Sequence, residues 1–105
     1  MNEIYRVKPK VTENKVSPVG FFEKPYPELL NPLEKPDKGS DGEYKWCYYL
    51  ILPFSDIPIP FEICSTEKGV PRRKMSKWAV KSTSDAAHEV REQVADMLEL
   101  PIRIL

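Results

Sequence analysis

From Glu43 to Phe54 the chain can alternate as a β-strand, and both phases of the alternation are apolar. Tyr44, Trp46, Tyr48, Leu50, Leu52 and Phe54 share one side, while Cys47, Tyr49 and Ile51 stand on the other. A strand with two apolar faces needs cover on both, so this segment belongs in the interior of a sheet. Pro53, Pro58 and Pro60 then bracket a turn, and Ile59, Phe61 and Ile63 alternate with Glu62 and Cys64 in a second strand over 59–65. Thr66-Glu67-Lys68-Gly69 reads as the next turn, and 74–81 as a third strand. The three strands, 43–54, 59–65 and 74–81, are expected to form a three-stranded antiparallel meander.

Ser82-Thr83-Ser84-Asp85 supplies a run of N-cap residues, after which Ala87, Val90, Val94, Met97 and Leu98 recur at spacings that build one apolar stripe. A helix over 84–99 is predicted, packed on one sheet face and ended near Pro101. The fold class is therefore α+β. Its 105 residues hold one core, so 1–105 is read as a single domain.

Eleven prolines, six of them before residue 40, argue against long helices in the N-terminal part. Ile4–Val11 and Val16–Phe22 are β-capable and are expected as short edge strands, the second interrupted by Pro18. Residues 23–42 read as a proline-rich loop or arm in which Tyr26, Leu29, Leu30 and Leu33 pin one short turn to a surface. Because one helix cannot cover both faces of the central strand, the arm is expected to wrap the face that the helix leaves bare.

Formal charges cancel over the whole chain but not along it: +1 for 1–40, −4 for 41–67, +6 for 68–81 and −3 for 82–105. Between Lys68 and Lys81 there are six basic residues and no acid. On a strand, Arg73, Lys77 and Lys81 fall on one side, with Ser76, Trp78 and Val80 on the other, which places cations toward solvent and the indole under the helix. Arg72, Arg73, Lys74, Lys77 and Lys81 are thus the candidate contacts to an anionic partner, a nucleic acid first and an acidic protein surface second. A solvated sheet face kept from aggregating by its lysines is the plain alternative.

A second candidate surface lies in the arm. Phe21, Phe22, Tyr26, Leu29 and Leu30 combine large apolar side chains with prolines that lower the ordering entropy of docking, as in a protein-interaction module such as an inhibitor or accessory subunit.

Catalytic and metal chemistry find little to work with. His88 is the sole histidine, Cys47 and Cys64 have sixteen residues between them and lie in expected strands, and no glycine-rich phosphate loop occurs among four glycines. No cofactor or metal is expected, and the chain is read as non-catalytic. Two cysteines and the lack of an apolar leader point to an intracellular, cytoplasmic protein, and no apolar run reaches the ~20 residues of a membrane span.

Overall fold

The computed structural model describes residues 2–104 and is an open antiparallel sheet of seven strands with a C-terminal helix and two shorter ones. In chain order the elements are β1 (Glu3–Arg6), α1 (Pro9–Thr12), β2 (Ser17–Glu23), α2 (Tyr26–Leu33), β3 (Asp37–Lys38), β4 (Tyr44–Ile51), β5 (Ile59–Ser65), β6 (Lys77–Ser82), α3 (Ala87–Leu98) and β7 (Arg103–Ile104). The sheet runs β1-β4-β5-β6-β2-β7, with β3 also paired to β4. The meander expected from the sequence is thus the middle of a larger sheet.

Several boundaries differ from the expected ones for local reasons. Pro9 opens α1 and ends the first strand at Arg6. The segment from Ser17 to Glu23 is no edge strand: it lies between β6 and β7, and a bulge between Pro18 and Gly20 absorbs the missing proline N–H. Residues 23–42 are not a loop throughout, because α2 and β3 form within them. Tyr26 and Pro27 occupy the first turn of α2, where a missing N–H costs no helical bond, and Leu29, Leu30 and Leu33 complete its apolar stripe. Arg72–Lys74 is a 3₁₀ turn begun by Pro71, so β6 starts only at Lys77. A second 3₁₀ turn, Ser84–Ala86, leads into α3 without a side-chain cap, and Glu99 ends that helix in the left-handed conformation.

The main core lies on one face, where Trp46, Leu50, Phe61, Ile63 and Val80 meet Leu29 and Leu33 of α2 and Val90, Val94 and Leu98 of α3. The arm therefore covers the same face as the C-terminal helix, contrary to expectation. Two indoles hold it there. Trp78 Nε1 donates to the Lys24 carbonyl (2.8 Å) just before α2, and Trp46 Nε1 donates to the Glu34 carbonyl (3.0 Å) just after it. Each buried tryptophan thereby satisfies its one donor while fixing an end of the helix.

The opposite face is closed in its middle by α1. Thr12 lies over β4 and β5, and Lys45, Cys47, Glu62, Cys64 and Ala79 are buried on this side. The two cysteines are free thiols, and burial pushes Cys47 up to about 11, in an unreactive range.

Candidate functional site

The loop from Thr66 to Ser76 joins β5 to β6 and carries most of the basic run. Glu67 organises its base: one carboxylate oxygen accepts the backbone N–H groups of Ser76 and Lys77, both at 2.8 Å, and those two bonds hold its pKa below the usual carboxylate value. Ser65 Oγ accepts the Glu67 N–H (3.0 Å), and Gly69 takes a φ of +74°, open to glycine without strain. Across the loop, the Met75 and Ser76 carbonyls accept the N–H groups of Tyr26 and Lys24 (2.9 and 2.8 Å). The loop is anchored at its base, and its 3₁₀ turn stands out from it.

That turn sets Arg72 against aromatic rings. Its guanidinium carbon lies 4.0 Å from the Tyr44 ring centroid and 5.6 Å from that of Tyr26. Tyr44 is the first residue of β4 and lies beyond the reach of the helical layer, which leaves it 41% exposed. Behind it, Tyr26, Trp46 and Trp78 form a triangle with centroids 5.4–6.3 Å apart. These rings, with Val70, Met75 and Arg72, line a cavity of about 530 Å³, within the range of small-ligand pockets. Lys68, Glu43 and Glu67 also line it. Among the described residues no carboxylate lies within ion-pair distance of Arg72, so stacking orients its planar donor fork while its N–H groups stay available to an anion. The arrangement suits a flat ring that carries a negative group.

The residues expected from sequence do not share one surface. Arg72, Arg73 and Lys74 are exposed together on the 3₁₀ turn. Lys77 and Lys81 point from β6 to the face opposite the main core, where their cross-strand partners are Glu23 and Glu62. The register sets opposite them two acids that the linear sequence keeps far away, and those carboxylates form their own ion pairs with Arg103 and Lys45. Trp78 is buried beneath the cavity, on the inward side. In the arm, Phe22, Tyr26 and Leu29 belong to the core, and Phe21 and Leu30 are half-buried, so this set offers no continuous docking surface. Met75 escaped the sequence reading, and nothing local singles out Tyr44, a strand-end tyrosine that lines a cavity, from the residues of the same strand that fill the core.

His88 is exposed on α3, with Nε2 3.0 Å from a Glu92 carboxylate oxygen, and does not line the cavity. Among the described residues no group of three or more His, Cys, Asp or Glu side chains is placed to hold a metal ion, and no helix is long and apolar enough to cross a membrane. Comparison with protein-family models, with curated proteins and with solved structures gives no match.

Proposed function

We propose that this chain is a small non-catalytic protein that binds single-stranded nucleic acid at the β5–β6 loop. One base enters the aromatic cavity against Tyr44, Arg72 forks a neighbouring phosphate, and Lys68, Arg73 and Lys74 attract the backbone on either side. Base stacking on aromatic rings beside a cationic groove is the usual physical basis of such binding, at about 1–3 kcal/mol per stacked base. The observation that carries this reading is the Arg72 guanidinium, held 4.0 Å over Tyr44 at the mouth of the cavity with no carboxylate within ion-pair distance among the described residues. Lys77 and Lys81 are left out of the contact set, since they occupy the other face. The arm is not proposed as a partner surface, since Phe22, Tyr26 and Leu29 are spent on the core of this chain.

Titration with oligothymidylate and oligouridylate at two salt concentrations tests the reading, with the fluorescence of Trp46 and Trp78 as the signal. Affinity is expected to fall steeply with salt. Arg72→Ala should flatten the slope of log affinity against log salt by about one. Tyr44→Ala should weaken binding by about 1–3 kcal/mol and leave the slope alone, and Lys81→Ala should change neither. Equal binding of duplex and single strand, or no binding at low salt, rejects it.

A further inference from the structure

The turn between β4 and β5 is the most exposed apolar feature of the fold. Phe54 has no cover at all, and Ile57 is 74% exposed. Phe54 is held there by its backbone, with a φ of +65° that a bulky residue rarely adopts, while the Ser55 N–H donates to the Leu52 carbonyl (3.2 Å) and the Ile57 N–H to Ser55 Oγ (3.3 Å). Pro53 and Pro58 stiffen both sides. An ordered tip that projects an aromatic and a branched aliphatic side chain is built to enter an apolar recess. Its charge selects among partners. No lysine or arginine occurs between Lys45 and Lys68, and the tip's one charge is Asp56, so nucleic acid and anionic lipid are both repelled.

A recess of the complementary kind exists on the same molecule. The aromatic cavity has apolar walls and carries Lys68 and Arg72 beside Glu43 and Glu67, and Arg72 has no carboxylate within ion-pair distance among the described residues. It lies where β4 begins and β5 ends, whereas the tip joins the other ends of those two strands. Strands of eight and seven residues separate the two by roughly 20–25 Å, so a chain cannot fill its own cavity with its own tip.

We propose that the occupant of the cavity in nucleic-acid-free protein is the tip of a second copy of this chain. Phe54 and Ile57 of one molecule seat against the rings, and the Asp56 carboxylate accepts hydrogen bonds from Arg72 and Lys68 of the next. The contact joins two different surfaces, so it propagates head to tail and does not close as a two-fold dimer. Its area falls below the roughly 1,000 Å² of a stable interface, which makes it weak, reversible and concentration-dependent. It depends on the geometry of the cavity and the tip, and not on the nucleic-acid reading.

Sedimentation of the full chain without nucleic acid, from about 10 µM to about 1 mM at low salt, tests it. The mean mass of the unaltered chain should rise with concentration. A tip variant, Phe54→Ser with Ile57→Ser, and a cavity variant, Arg72→Ser, should each stay monomeric, since one lacks the plug and the other the anion fork. Mixed in equal amounts they should form a complex that stops at two chains, the intact tip of one in the intact cavity of the other. Lys68→Glu, at an exposed position, serves as a second cavity variant should Arg72→Ser disturb the turn. A chain that stays monomeric over the whole range overturns the proposal, as does self-association that survives both cavity variants, or a mixture that fails to pair. None of these outcomes touches the oligonucleotide titration.

Discussion

Thr12 Oγ1 donates to a Glu62 carboxylate oxygen across 2.6 Å, and so ties a four-residue helical turn to a charge buried in the middle of the sheet. The other Glu62 oxygen lies 3.7 Å from Lys45 Nζ, which also reaches Asp41 at 3.2 Å and Glu13 at 4.0 Å. Glu13 in turn accepts the N–H and hydroxyl of Ser40. Residues from α1, the β3–β4 turn, β4 and β5 thus share one network.

Its energetics follow from burial. Lys45→Met leaves the Glu62 carboxylate inside the protein without its cation and should destabilise the fold by about 3–5 kcal/mol in urea. Thr12→Val removes only a hydrogen bond, about 1–3 kcal/mol. Combining Lys45→Met with Glu62→Leu should restore most of the loss, since the uncompensated charge is gone. A double variant as unstable as Lys45→Met alone would show that the network stabilises through something other than charge compensation.

Stability should fall in acid. The Ser76 and Lys77 N–H groups hold Glu67 below its ordinary 4.5, the Ser40 hydroxyl and N–H do the same for Glu13, and the Glu43 N–H holds Asp41 below 3.8. Each depressed carboxylate contributes stability that is present above its unfolded value and lost as pH falls through its folded one. The urea midpoint is therefore expected to decline from about pH 5 to about pH 3, and less steeply in Glu67→Gln. A midpoint flat across that window contradicts it.

Gly20 sits where β7 pairs with β2. A Cβ built there would come within 2.7 Å of Ile102 Cγ2 and 2.9 Å of the Arg103 carbonyl oxygen, the second a backbone atom that cannot yield without moving the strand. Gly20→Val should release β7, with a loss of about 1–3 kcal/mol. Hydrogen exchange would show it as lost protection at Arg103 and Ile104 with α3 still protected; protection retained at both residues would refute it.

Glu99 terminates α3 at φ 56° and ψ 40°, a left-handed conformation that glycine adopts without a side-chain penalty. Glu99→Gly is expected to stabilise the protein by roughly 0.5–1 kcal/mol. Thermal unfolding should move up by a few degrees. A lower midpoint would mean that the Glu99 side chain makes a compensating contact.

What the sequence revealed was local. Apolar residues in both phases of 43–54 placed β4 in the interior, and the stripe of Val90, Val94 and Leu98 placed α3 on one face. What it hid was pairing at a distance. Segments 17–23 and 77–82 are about sixty residues apart, and nothing in either announces that they form adjacent ladders, so β2 looked like an edge. The same holds for charge: Lys77 and Lys81 have no acid near them in the linear chain, and only register sets Glu23 and Glu62 across from them. Pro71 was the one legible warning that the basic run would break into a turn before becoming a strand. The cavity needed α2, the start of β4 and the β5–β6 loop together, and no single stretch carries that information.

The margins of the sheet bear on how copies of the molecule can meet. One side is finished by β1, four residues with Glu3 and Arg6 at its ends, beside the two-residue β3; the other is finished by the two-residue β7. Rims this short and charged make poor templates for lateral strand addition. Packing side by side is thereby discouraged, and the long axis of the strands is the direction left open for any assembly.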